Sequence, residues 1–139
     1  MVDVWWGICE RAGPGQYVFD GYVKLAQMCR SLDLQMQAVM SFHQCGGNVG
    51  DTCHIPLPEW VLAVGDTMPD VFFRDSAGNL NKEVLSIGVD TLPIWPSSEP
   101  NTTRTSITMY EDFMTAFSDA LRPFLGSTIV EVQVRDPQA

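Results

Sequence analysis

The stretch Ser41-Phe42-His43-Gln44-Cys45-Gly46-Gly47-Asn48-Val49-Gly50-Asp51 holds more reactive chemistry than any other part of the chain. An imidazole and a carboxylate bracket three glycines, and glycine lets backbone move over a ligand where other residues would resist. A third polar group, Asp3, sits inside the apolar run Val2-Asp3-Val4-Trp5-Trp6. A carboxylate there needs hydrogen-bond donors or a ligand, because burying it unpaired is costly. Asp3, His43 and Asp51 together suit a polyhydroxylated ligand, each fixing a hydroxyl through a directional hydrogen bond. Trp5 and Trp6 could stack on the faces of such a ligand. The competing reading makes them core or rim packing and makes Asp3 the cap of a nearby loop.

Two other chemistries can be set against this one. His43-x-Cys45 followed by Cys53-His54 supplies two sulfurs and two imidazoles, a conceivable zinc set. The gaps within each pair are too short for the usual ligand spacing, and a metal site is not the expectation. Cys45 and His43 lie two apart at one strand end, an awkward placement for a nucleophile and its base, and no Gly-x-Ser-x-Gly elbow occurs. No phosphate-binding or dinucleotide fingerprint is present either. Cys45 reads as a buried thiol beside the site. The irregular spacing of Cys9, Cys29, Cys45 and Cys53 argues against a disulfide framework.

The elements that must position these residues can be read in order. Met1 to Trp6 predicts a strand. Asp20 predicts an N-cap for a helix over 21–31, with Tyr22, Leu25, Cys29 and Leu32 on its buried face. Leu34 to Phe42 predicts a second strand, alternating at first and then continuously apolar. Strand, helix and strand with tight connections make a βαβ unit with parallel strands. From Gly46 to about Thr108 the chain reads as a long loop-rich insertion, a feature usually functional after a parallel strand. Within it, Pro58 opens a short helix, Ser76 to Asn79 forms a turn, and Pro93 to Arg104 is a flexible surface segment. Thr108-x-x-Glu111 fits a capping box opening a helix whose buried stripe is Met109, Phe113, Phe117 and Leu121. Thr128 to Val134 predicts a third strand, with Val130, Val132 and Val134 on one face and Glu131 and Gln133 on the other. The order is that of an α/β protein with about three parallel strands, two long helices and a long loop after the second strand. Three such strands leave two open edges and uncovered apolar faces, as in a chain cut at both ends.

Length and composition bound the function. The 139 residues allow one ordinary domain, and 45% hydrophobic with 18% charged residues is a globular balance. A formal net charge of −9 argues against nucleic acid and against an anionic membrane surface. No apolar run approaches the ~20 residues that span a bilayer. The run after Met1 has no basic region before it and is not a signal peptide.

Several segments resemble plant β-amylase. They are residues 1–7 (Met-Val-Asp-Val-Trp-Trp-Gly), the run from Leu34 to Asp51, Ile55-Pro56-Leu57-Pro58-Glu59-Trp60-Val61-Leu62, Asn81-Lys82-Glu83, Leu85 to Asp90, and Ile129 to Val134. The resemblance spans residues 1–134, which it implies are a partial β-amylase catalytic domain, with residues 135–139 a divergent tail. It implies a partial (β/α)8 TIM barrel and a glycosidase releasing maltose from α-1,4-glucans such as starch, with inversion and no cofactor. Asp3, His43 and Asp51 match positions that hold the terminal glucose units. Gly46 to Thr52 matches a mobile lid, and Cys45 a non-catalytic thiol. An inverting glycosidase needs an acid and a base carboxyl flanking the bond. In the family both are glutamates beyond the strand that ends here at Val134, so no catalytic residue is expected in this chain. An intracellular location, cytoplasmic or plastid, is implied. The alternatives are a non-catalytic glucan-binding or regulatory module, or a truncated product without function.

Overall fold

A computed structural model describes residues 1–47 and 49–135. Its centre is a parallel sheet in the order β1-β2-β9, with β1 over Val2–Trp5, β2 over Met36–Ser41 and β9 over Ile129–Arg135. Asp3 pairs with Val39, Trp5 with Ser41, Val39 with Gln133 and Ser41 with Arg135. Because side chains alternate along a strand, this register sorts the sheet into two faces. Asp3, Trp5, Gln37, Ser41, Glu131 and Gln133 share one. Val4, Ala38 and Met40 share the other and are fully buried.

Helices cover the apolar face over β1 and β2, while Val130, Val132 and Val134 of β9 stay exposed. The α1 turn, Trp6–Cys9, follows β1 directly; α2 spans Asp20–Ser31, and α4 spans Ser106–Leu121. The expected stripe of α4 is the core, with Met109, Phe113, Phe117 and Leu121 at 2% exposure or less. Phe113 meets Phe19 and Phe42 edge-on at 5.5 and 5.4 Å, so α4 grips the C-terminal end of β2. On α2, Tyr22, Leu25 and Cys29 pack against the core as expected, while Leu32 is 65% exposed. Asp20 is the first helical residue; Phe19 holds the N-cap position without a side-chain cap.

The insertion after β2 is more structured than its composition predicts. It contains the antiparallel pair β3 (Cys45–Gly46) and β4 (His54–Ile55), then helix α3 over Glu59–Thr67. Pro58 is the N-cap of α3, one residue ahead of the helix. A hairpin follows, β5 (Phe72–Arg74) with β6 (Leu80–Leu85), closed by an Asp75 turn. The Asp75 carboxylate accepts from the backbone N–H of Ala77 and Asn79, and its bonds to Asn79 hold its pKa below the usual carboxylate value.

Two expectations are corrected here. The segment 93–104 is not simply flexible surface: β7 (Trp95–Pro96) pairs with β8 (Thr103–Arg104), and Trp95 is fully buried. Its indole N–H donates to Ser106 Oγ at 2.9 Å. The capping residue of α4 is Thr105, whose hydroxyl accepts from the Thr108 N–H at 3.1 Å. Starting the helix three residues earlier buries Ser106 against Trp95 and the Val89 carbonyl. Residues 136–139 of the expected tail lie outside the described residues, and Arg135 is the last residue of β9.

Candidate functional site

The polar face of the sheet is where chemistry collects. Asp3 accepts through Oδ1 from Ser41 Oγ at 3.1 Å, a bond across the neighbouring strands β1 and β2. Trp5, two residues further along the same face, meets the His43 ring edge-on at 5.3 Å. Trp5 and Ser41 are the last residues of β1 and β2, Asp3 lies two residues inside β1, and His43 follows β2. The four run along this face toward the carboxyl ends of the strands, the side where α/β proteins place their ligands. Trp6 does not join them. It is fully buried and packs edge-on against Phe42, Trp60 and Tyr110, so of the two adjacent tryptophans it is Trp5 that lies on the polar face.

A layer of amides continues the polar face. Gln37 Nε2 donates to Glu131 Oε2 at 2.5 Å, and Gln133 Nε2 to Glu131 Oε1 at 2.7 Å. Glu131 was legible as a polar position of its strand, but its bond to Gln37, 94 residues away, was not. With both oxygens already accepting, Glu131 has the surroundings of a structural carboxylate.

Asp51 enters from the loop. It lines a polar cavity of about 380 Å³ with Gln44, Cys45, Gly46, Thr52, Cys53 and Glu83. Gln44 organises this wall: its backbone N–H donates to the Glu83 carbonyl at 2.9 Å and its side-chain amide to the Gly46 carbonyl at 2.7 Å. In the sequence Glu83 stood out only within the resembling segment Asn81-Lys82-Glu83, with no role given to it, because it lies in a region that reads as loop and reaches the site through β6.

The expected thiol at Cys45 is corrected. Cys45 and Cys53 are joined as a disulfide, eight residues apart with their Cα atoms 6.3 Å apart. The glycines turn the chain back, and the pairing of Cys45 with Ile55 and Gly46 with His54 brings the two sulfurs within reach. Bonded to each other, neither is a thiolate ligand for zinc. Among the described residues, no group of three or more His, Cys, Asp and Glu side chains could hold a metal ion.

Two buried polar systems hold the site in place. Tyr22 of α2 inserts its hydroxyl beside β1, donating to the Asp3 carbonyl at 3.0 Å and accepting from the Trp5 N–H at 3.2 Å. Burial pushes Tyr22 up to about 12 and the neighbouring Cys9 thiol also to about 12. Both neutral forms are therefore favoured by folding. Their contribution is complete below the unfolded values, near 9 and 10, and is lost as pH climbs toward 12. The urea midpoint is expected to fall between pH 9 and 12 more steeply in the natural chain than in the Cys9→Ala/Tyr22→Phe double variant. Equal slopes would remove these groups from the account.

The second system centres on Glu10, fully buried behind Trp6. Its carboxylate accepts from Trp6 Nε1 at 2.5 Å, the Gly15 N–H at 2.6 Å and Arg104 at 2.6 Å. Trp60 Nε1 donates to the Glu10 carbonyl at 2.9 Å. This knot ties α1, α3 and β8 together.

Parallel strands, a polar inner face and a loop-borne carboxylate at their carboxyl ends define part of an α/β barrel of the glycosidase type. The chain superposes on the catalytic domain of a β-amylase from Paenibacillus polymyxa with a TM-score of 0.72 and 32% identity, over 95% of this chain and 28% of that one. The profile of glycosyl hydrolase family 14 matches residues 1–138. The chain belongs to glycosyl hydrolase family 14. It is 52% identical over 134 residues to the chloroplastic β-amylase 1 of Oryza sativa subsp. japonica, covering 96% of this chain and 24% of that protein. It is 47% identical over 135 residues to the β-amylase of Vigna unguiculata, covering 96% and 26%. The chain thus spans about a quarter of the length of these curated relatives. Its fold is a partial (β/α)8 TIM barrel of three parallel strands.

Proposed function

We propose that these residues are the part of a β-amylase that holds the non-reducing end of an α-1,4-glucan. Asp3 within β1, His43 just after β2, and Asp51 on the Gly-rich loop are the hydroxyl-binding groups, with Trp5 beside His43. The observation that carries this reading is the Asp3–Ser41 bond on the same sheet face as the Trp5–His43 contact. A carboxylate held by one neutral hydroxyl keeps lone pairs for further donors, as sugar hydroxyls are. Hydrolysis with inversion needs two carboxyls flanking the scissile bond, with room for water. The carboxylates of this face are Asp3, tied to Ser41, and Glu131, tied to two amides, so the 139 residues by themselves bind without turning over. The net charge of −9 suits a neutral glucan and disfavours nucleic acid. Among the described residues no helix is long and apolar enough to cross a membrane. A plastid location is the reading favoured by the chloroplastic relatives.

Calorimetric titration of the chain with maltodextrin tests this. Binding is expected with Kd on the order of millimolar, weakened about tenfold in Asp3→Asn, the size of a lost charge-assisted hydrogen bond. Maltose release from the pure chain should be undetectable. Measurable maltose release would overturn the non-catalytic assignment. Absence of binding by a chain that unfolds cooperatively would overturn the glucan site.

A further inference from the structure

A second cavity lies between α1 and the segment that runs from β4 into α3, and no residue of the polar sheet face lines it. Its volume is about 390 Å³, within the range of small-molecule sites. Ile8, Ile55 and Leu57 give it an apolar floor, and Arg11, His54 and Glu59 supply its charged and polar groups. Backbone fixes its walls. A Cβ at Gly7 would lie 1.8 Å from the Pro56 carbonyl oxygen, so α1 and this segment touch main chain to main chain. The hydrogen bonds of Glu10 anchor the residue next to Arg11, and Pro58 leads directly into α3 at Glu59.

Most cations of this chain are already engaged. Arg74, Lys82, Arg104 and Arg122 each pair with a carboxylate, and Arg30 lies over the Phe124 ring. Among the described residues Arg11 forms no ion pair, and neither does Glu59, although both line this one cavity. Two opposite charges therefore share an apolar-floored cavity without neutralising each other.

We propose that this cavity binds a free α-amino acid with an aliphatic side chain. The Arg11 guanidinium donates to the ligand carboxylate, for which its parallel N–H groups are suited. Glu59 accepts from the ligand ammonium group. His54 has an N–H donor in either tautomer and adds a bond to the carboxylate. The ligand side chain displaces water from Ile8, Ile55 and Leu57, which is favourable in proportion to the apolar area covered. A simple anion would meet the Glu59 carboxylate, and a purely apolar molecule would desolvate both charges without pairing them. A zwitterion with an apolar body satisfies all three features. This site is independent of the glucan reading.

Titration of the isotope-labelled full chain with L-leucine, followed residue by residue by NMR, tests this. The amides of Ile8, Arg11, Ile55 and Leu57 are expected to shift, with Kd on the order of millimolar for so small a ligand. Isocaproate lacks the ammonium group and L-leucinamide lacks the carboxylate. Each should bind about tenfold more weakly, the effect of one lost charge-assisted hydrogen bond. Arg11→Gln and Glu59→Gln should each weaken L-leucine about tenfold as well. Both side chains are exposed, and unchanged shifts in the rest of the spectrum check that the variants stay folded. No shift at the cavity, equal affinity for the three ligands, or full affinity in either variant would overturn the proposal. Maltose shifting these amides where L-leucine does not would make this a sugar site and overturn it too. Maltodextrin shifts at Trp5 and Ser41 report on the glucan site alone, so the two readings fail separately.

Discussion

Arg104→Leu is expected to unfold most of the chain at room temperature. Arg104 and Glu10 form an ion pair at 2.6 Å with side chains 7% and 0% exposed. Burial works against the Arg104 charge, yet its hydrogen bonds to Glu10, Tyr17 and Asp112 outweigh burial and hold its pKa above the ordinary arginine value. Removing the guanidinium leaves the Glu10 carboxylate with no counter-charge in the core. Breaking a buried pair from one side costs about 3–5 kcal/mol. A domain of this size has about 5–15 kcal/mol in total, and this one lacks cover on Val130, Val132 and Val134, each more than 40% exposed. The same substitution also strands the Pro96 carbonyl and the Tyr17 hydroxyl, which Arg104 now contacts. Asp112→Asn is the control. It removes the other carboxylate on Arg104, but that side chain is 46% exposed, and partly exposed pairs contribute about 1 kcal/mol or less. Urea titration followed by circular dichroism separates the cases. Similar midpoints for the two variants would show that the buried pair has no special weight.

That pair also marks the limit of what the sequence discloses. Short-range patterns were legible: the α4 stripe, the parallel β1-β2 pairing across α2, and the polar positions Glu131 and Gln133 all follow from periods of 3.6 or 2. Glu10 and Arg104 lie 94 residues apart, and a charge that is buried looks like a solvated one until its partner is placed. The same blindness made 93–104 read as flexible surface. Its prolines and polar residues are real turn signals, but Trp95 finds its hydrogen-bond acceptor on a helix that folds over it. The helix start misread at Thr108 has a different origin. Thr105 and Thr108 are both competent caps, and only the burial of Ser106 decides between them. Asp3, His43 and Asp51, the proposed hydroxyl-binding groups, stood out by residue type and place, whereas Glu83 reaches the cavity through a hairpin pairing that composition does not announce. The disulfide was hidden for a related reason: an interval of eight residues says nothing until the glycines turn the chain back on itself.

Gly46→Ala is expected to open the loop, and Gly50→Ala to leave it nearly as it is. Both glycines have positive φ, +69° and +95°, so alanine is strained at either position by about 1–2 kcal/mol. Space separates them. A Cβ at Gly46 would lie 1.8 Å from the Cys53 carbonyl oxygen and 2.9 Å from its carbon, whereas one at Gly50 meets nothing within 4 Å. The obstacle at Gly46 is backbone, which no rotamer change relieves. The β3–β4 pair must therefore part, taking with it the Gly46–His54 register and the position of Asp51 relative to Gln44 and Glu83. Local opening by about 1.4 kcal/mol more than strain alone corresponds to a tenfold faster proteinase K cut in the loop. Under one redox condition, Gly46→Ala should show at least that increase over Gly50→Ala, with the urea midpoints of the two variants close together because α4 and the sheet core are untouched. If both variants were cut at the same rate, the close approach of Gly46 to Cys53 would not be what closes the loop.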